Sequence, residues 1–195
     1  MRILIIGAGK VGSSVAGNLV SESNDITIVD TNKAKIAEIQ SNYALQGIGG
    51  DATSPSVLAD AGAVDADMII AVTANDETNL AVTLIAEQLF NVPSRIARVR
   101  NDELREYPAL LSTSGFRATS VIWPEEAITN YIVQLITYPE ALQVIEFSDG
   151  DVVLMSVKIV SSSKMCGRPV SALQDELPRV KVQIVSIYRQ KYRLD

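Results

Sequence analysis

The sequence predicts an α/β chain: a doubly wound parallel sheet over residues 1–138, then a small, incomplete β-rich subdomain over residues 139–195. Three observations predict it. Short β-branched runs alternate with helical patterns along residues 1–122, the grammar of parallel strands joined by crossover helices. The stretch Gly7-Ala8-Gly9-Lys10-Val11-Gly12 sits directly between the first strand pattern and the first helical one. After Tyr138-Pro139, apolar residues alternate with polar ones instead of running together, as they do in half-buried strands.

The elements follow in order. Arg2 to Ile6 reads as a buried parallel strand, and Val11, Val15 and Leu19 mark a helix from Lys10 to about Ser21. Ile26 to Val29 is a second strand ending in Asp30. A helix over Lys33 to Ser41 turns Ile36 and Ile39 inward, with Thr31 or Asn32 as its cap. Ala44 to Gln46 is expected to be a short third strand, and Ser54-Pro55 opens the next helix. Met68 to Val72 and Ile96 to Val99 are strands four and five, separated by a helix over Asp76 to Leu89. Asn101 or Asp102 caps a helix through Leu111, and Thr119 to Ile122 is the sixth strand. Pro124 opens a helix through Tyr138 with Ile128, Tyr131, Ile132, Leu135 and Ile136 along one side. That side either forms a dimer surface or packs within its own domain. Beyond it, strands are expected at Leu142 to Phe147, Val152 to Ile159 and Val182 to Tyr188, with a hairpin turn at Ser148 to Asp151. The second unit ends unfinished, which predicts a piece of something longer.

Composition narrows the chemistry. Of 195 residues, 47% are hydrophobic and 21% charged, enough for a real core. The longest apolar runs are strand-sized, well short of the roughly 18 residues a membrane span needs. Residues 1–6 enter a strand at once, leaving no room for a signal peptide, so a soluble cytoplasmic protein is expected. Cys166 is the sole cysteine and there is no histidine, which removes intrachain disulfides, cysteine metal sites and the commonest general base. A net charge of −6 argues against nucleic acid as partner. Residues 1–138 hold 9 basic and 16 acidic side chains, and residues 139–195 hold 8 and 7. The basic residues at the end of the chain read as a solvated edge.

The glycine motif carries the function. Gly7 permits the turn, Gly9 lets backbone approach a pyrophosphate, and Gly12 lets the helix lie close to the sheet, as in a Rossmann-type fold. Free N–H groups at Lys10 and Val11, with the helix dipole, favour negative charge there. Asp30 stands 18 residues after Gly12, placed to accept both ribose hydroxyls or to cap the next helix. Its charge would repel a 2′-phosphate, so NAD(H) is expected over NADP(H). Gly50, Asp51, Ala52 and Thr53 follow the third strand on the adenine side, where Asp51 and Thr53 either bind ligand or make a turn and helix cap. Thr73, Ala74 and Asn75 follow the fourth strand, where the other end of the ligand would lie. Arg98 and Arg100 share one side of the fifth strand. They reach phosphate, face solvent, or pair with Asp102 and Glu103.

A dehydrogenase needs a proton relay beside the nicotinamide and a substrate pocket. With no histidine, and no tyrosine followed four residues later by lysine, binding without chemistry is the better reading. An oxidoreductase fragment lacking its substrate domain and a soluble NADH redox sensor are the rivals. The sensor would bind NADH without a membrane partner.

These residues together resemble a known family. Met1 to Ile6 with the glycine loop, Asp30, Gly50 to Thr53, Thr73 to Asn79, Ala97 to Arg100 and Trp123-Pro124-Glu125 resemble the RCK (KTN) domains that regulate potassium channels and transporters. Ile136 to Val144 is similar to the corresponding stretch in the peripheral nucleotide-binding subunits of bacterial Trk potassium uptake systems. The resemblance implies a non-enzymatic regulatory module that sits at the inner face of the cell membrane, self-associates as a dimer or higher oligomer, and gates an integral-membrane potassium-conducting subunit. It implies NAD(H), and also ATP or ADP, as ligands of one cleft. Lys10 and Arg98 fall near the phosphates, and Glu125 falls where some relatives face a neighbouring subunit's ligand. Such subunits usually hold two halves in tandem, whereas this sequence matches one.

Overall fold

In the computed structural model the described residues are 1–20, 22, 24–112, 114–147, 150–171, 181–189 and 192–194. The chain divides into two compact units, Met1–Asn130 and Tyr131–Asp195.

The first unit is built on six strands: β1 (Arg2–Ile6), β2 (Asp25–Asp30), β3 (Gln46–Gly49), β4 (Met68–Ala71), β5 (Ser94–Arg98) and β6 (Ser120–Ile122). They lie in the order β3-β2-β1-β4-β5-β6, and every pairing is parallel. This is the Rossmann order, with its switch point between β1 and β4. Helices α1 (Lys10–Val20), α2 (Lys33–Asn42), α3 (Pro55–Asp60) and α4 (Asp76–Phe90) cross between strands. Because side chains alternate along a strand, β1 feeds two cores. Ile3 and Ile5 pack with Ala16 of α1 and Ile36 and Ile39 of α2. Leu4 and Ile6 pack with Leu58 of α3 and Val82 and Ala86 of α4. Ile5 and Leu58 are wholly buried, and each such side chain contributes about 1.5–3 kcal/mol by leaving water.

Caps fix the helix starts. Asn32 Oδ1 accepts from the Ala34 and Lys35 amides ahead of α2, and Asn75 Oδ1 accepts from Thr78 N ahead of α4. Ser54 holds the cap position of α3 with Pro55 just inside, but its hydroxyl bonds Ser56 Oγ instead of the backbone. The third strand lies later than the sequence predicts, at Gln46–Gly49 instead of Ala44 to Gln46. Glycines read as strand breakers, yet a Cβ on Gly47 would overlap Ile36 Cγ2, so glycine is what lets α2 lie on this strand. The helix expected through Leu111 is split into a 3₁₀ turn, Asp102–Glu106, and α5 (Pro108–Leu111). Pro108 supplies no N–H and pushes Tyr107 out of the helical region, to φ −121° and ψ 58°.

Helix α6 (Pro124–Thr137) carries no buried residue. In the second unit β7 (Ala141–Phe147) pairs antiparallel with β8 (Val152–Val157), with an irregularity at Ala141/Gln143. The expected turn between them falls partly on Ser148 and Asp149, outside the described residues. The strand expected over Val182 to Tyr188 is shorter and later: β9 (Ile187–Arg189) pairs antiparallel with β10 (Tyr192–Leu194). Residues 181–186 face no strand among the described residues, and the ladder forms only where a partner exists. No helix among the described residues is long and apolar enough to cross a membrane.

Candidate functional site

The carboxyl ends of β1 to β5 carry the loops singled out in the sequence. At β1, Gly7 adopts φ +104°, a conformation that favours glycine, and its amide donates to Val29 O at 2.8 Å. A Cβ on Gly12 would overlap the Gly7 carbonyl oxygen, so this glycine brings α1 against the loop. Gly9 differs: a Cβ there meets nothing within 4 Å. The backbone at the start of α1 is thus open to an approaching group, and Lys10 beside it is exposed. Val11 is exposed too and offers its amide from the first turn. Open backbone at the positive end of a helix suits a phosphate.

Asp30 ends β2, and both of its oxygens are engaged. Oδ2 accepts from Ala8 N and Oδ1 from Asn32 N, each at 2.7 Å. A carboxylate oxygen has two acceptor positions, so each oxygen retains one for a ribose hydroxyl. After β3, Gly50 N donates to Asp30 O at 3.0 Å. Asp51 Oδ1 accepts from Thr53 N at 2.9 Å and from Thr53 Oγ1 at 2.8 Å. These two bonds, the amide first and the hydroxyl second, hold the Asp51 carboxyl below its ordinary range. Ala52 turns its side chain into the core, so only its backbone is available to a ligand.

The loop after β4 is held from within. Asn79 of α4 is 0% exposed, and its Oδ1 accepts from Thr73 N at 2.9 Å and Thr73 Oγ1 at 2.7 Å. Its Nδ2 donates to Thr73 O at 3.2 Å and Arg98 O at 2.8 Å. The Thr73 side chain therefore serves the loop, and Asn75 caps α4. Ala74 is exposed, and its amide has no protein partner among the described residues.

Arg98 is 8% exposed. One terminal nitrogen donates to Thr73 O at 2.6 Å, while Nε is buried without a partner. Burial lowers its pKa first and the nearby Arg100 second, with Asp76 and Glu125 opposing. Asp76 does not pair with either guanidinium at contact distance; its Oδ2 accepts from the Arg100 and Asn101 amides at 2.8 and 2.9 Å.

The loops at β1, β2 and β3 are joined by hydrogen bonds through Asp30, and those at β4 and β5 through Asn79. Thr73 links across the switch point: a Cβ on Gly7 would stand 3.1 Å from Thr73 Cα. In the sequence Asn79 stands only at the end of the Thr73 to Asn79 stretch, and its role as a buried tie was missed. Its signal was a polar residue on the buried stripe of α4 that also carries Leu80, Thr83 and Ala86.

The chain is similar in sequence and fold to known proteins. The TrkA-N domain family matches residues 3–124. The Trk system potassium uptake protein TrkA of Vibrio alginolyticus is 46% identical over 191 residues, covering 97% of this chain and 42% of that protein. The chain thus spans less than half the length of this relative. Among solved structures, the TrkA-N domain of the inner membrane protein ybaL from Escherichia coli superposes with a TM-score of 0.62 at 19% identity, covering 69% of this chain and 96% of that one. The GsuK channel bound to NAD superposes with a TM-score of 0.57 at 20% identity, over 76% of this chain and 25% of that one. With the parallel sheet, the glycine turn and a match to most of the first unit, the chain belongs to the TrkA-N domain family.

Proposed function

We propose that this chain is the nucleotide-sensing part of a cytoplasmic regulatory subunit of a potassium uptake system, and that it acts by binding, not catalysis. One observation carries the reading: the Asp30 carboxylate ends β2 beside the open backbone at Gly9 and the start of α1. That pairing offers acceptors to a ribose and donors to phosphates, the parts common to NAD(H), ATP and ADP. The ligand would lie along Gly7 to Gly12, Asp30, Asp51 to Thr53, Thr73 to Asn75 and Arg98. Asp30 would repel a 2′-phosphate and so disfavour NADP(H).

The potassium-uptake part of the proposal is supported by the relatives' name and by 46% identity. Residues 1–138 would form the nucleotide domain and residues 139–195 the start of a smaller subdomain. The exposed apolar residues of α6, Ile128, Tyr131, Ile132 and Ile136 among them, suit a surface where copies pair. Ligand binding would bias the angle between paired domains and so an integral-membrane partner at the inner face of the membrane. Coupling of this kind is typically worth about 1–3 kcal/mol per site.

Calorimetric titration with NADH, NAD, NADP and ATP tests the reading. Binding of NADH or ATP, with NADP much weaker, is the expected result. No binding by any of the four would overturn it.

A further inference from the structure

Asn79 is a fully buried amide with all four of its hydrogen-bonding positions in use, and three of the four serve one residue, Thr73. A buried amide so placed is costly to disturb, because each partner it abandons is left unsatisfied away from water. Its fourth bond goes to Arg98 O at the end of β5, and Arg98 returns a bond to Thr73 O. Asn79, Thr73 and Arg98 therefore close a ring of hydrogen bonds that ties the β4 loop to the β5 end. The strand order β3-β2-β1-β4-β5-β6 places this ring on the opposite side of β1 from Asp30. A ligand whose ribose is held at Asp30 and whose first phosphate lies over Gly9 extends toward the ring only if it is longer than a nucleoside monophosphate.

We propose that Asn79 is a positioning residue for the far half of a dinucleotide: it fixes the Thr73–Asn75 loop against β5 so that the Ala74 amide and the Arg98 guanidinium are set before the ligand arrives. This rests on the nucleotide reading above. Asn79 does not touch the ligand. It withdraws the donors of Thr73 from the cleft and leaves Ala74 N and the unpartnered Arg98 Nε as the polar groups whose placement depends on it. An order fixed before binding spares the ligand the cost of ordering the loop.

The test compares NADH with AMP, which share the adenosine and one phosphate. In wild type and Asn79→Ala, affinities for both are measured by calorimetry, with thermal unfolding as the check on folding. The expected result is a loss of tenfold or more for NADH and less than threefold for AMP, with a cooperative unfolding transition retained. Equal losses for the two ligands would make Asn79 a purely structural residue, and unchanged NADH affinity would remove it from the site; either overturns the proposal. Should Asn79→Ala not fold, Asn79→Asp keeps the acceptor side and loses the donor side, and the same ratio decides. As a measurement needing no variant, slow amide exchange at Thr73 is expected in the ligand-free wild type. Fast exchange there would show that the loop is not set in advance. Wild type that binds neither ligand would instead sink the nucleotide reading itself, and this inference with it.

Discussion

The Ala8 amide donates to Asp30 Oδ2 at 2.7 Å, so the carboxylate that ends β2 also fixes the glycine loop that follows β1. One side chain thereby shapes the phosphate cradle and faces the expected ribose. The second oxygen holds Asn32 N, which begins the turn into α2. Any account of Asp30 as a ligand residue has to carry this structural share as well.

Asp30→Ala is therefore predicted to act twice. Leaving the Ala8 and Asn32 amides without their acceptor costs about 1–3 kcal/mol of stability. Losing the ribose bonds weakens NADH binding by about 1.5–3 kcal/mol, the range for hydrogen bonds to a charged group. Thermal melts and calorimetry on the same samples separate the two effects. A destabilised variant that still binds NADH as wild type does would leave Asp30 a purely structural residue.

Asp51 makes a pH prediction. Its carboxyl is held below the ordinary range by the Thr53 amide and hydroxyl, so its folded pKa is depressed relative to the unfolded chain. The stability this contributes is present in full above the ordinary carboxylate range and is lost as pH falls through the lowered folded value. Thr53→Val removes the hydroxyl bond and keeps the amide bond. The Asp51 carboxyl, followed by NMR titration, is expected to move up toward its ordinary value in that variant. An unmoved titration would mean that the hydroxyl contributes nothing.

Much of the fold could be read from residues that do only one thing. The apolar runs of β1, β2 and β4 are buried on both faces, and only parallel strands under helices are so uniformly apolar. Gly7 and Gly12 were legible because each meets a local geometric demand at a fixed spacing. The rest depended on contacts between separate elements of the fold. Gly47 reads as a breaker until Ile36 is seen lying against it. Asn79 has no role of its own in the sequence until Thr73 and Arg98 are brought around it. The burial of Arg98 and its bond to the Thr73 carbonyl follow from the β4–β5 pairing, which periodicity does not reveal.

Arg105 joins the segment after β5 to the start of α6. Its guanidinium lies 4.6 Å from the centre of the Trp123 ring and pairs with Asp102 and Glu126, both at 3.2 Å. Both carboxylates are well exposed, so each pair is worth at most about 1 kcal/mol, and the ring contact adds about 0.5–1 kcal/mol. Arg105→Ala is predicted to cost about 1–2 kcal/mol overall, from the same two sources, with faster amide exchange in the first turns of α6. Part of the loss should disappear at high salt, where the wild-type pairs are screened. Unchanged exchange in α6 would show that Arg105 does not hold the helix start.

The two glycines flanking Lys10 and Val11 give the sharpest contrast. A methyl group at Gly12 would overlap the Gly7 carbonyl oxygen, and neither backbone can retreat without lifting α1 from the sheet. Gly12→Ala is predicted to cost about 3 kcal/mol or more, the scale of strong overpacking, and to abolish a cooperative melt or lower its midpoint sharply. At Gly9 a Cβ meets nothing within 4 Å and no positive φ stands in the way. Gly9→Ala should leave stability within about 1 kcal/mol of wild type, on either side, since alanine also stiffens the unfolded chain. The same methyl would occupy the space over the start of α1 where a phosphate is expected, so NADH and ATP affinity should fall at least tenfold. A Gly9→Ala protein that melts and binds like wild type would mean that the open backbone at Gly9 is not where phosphate lies. The ligand reading would then have to move away from the glycine loop, because fold and binding make opposite demands at these two positions and only the binding demand would have failed.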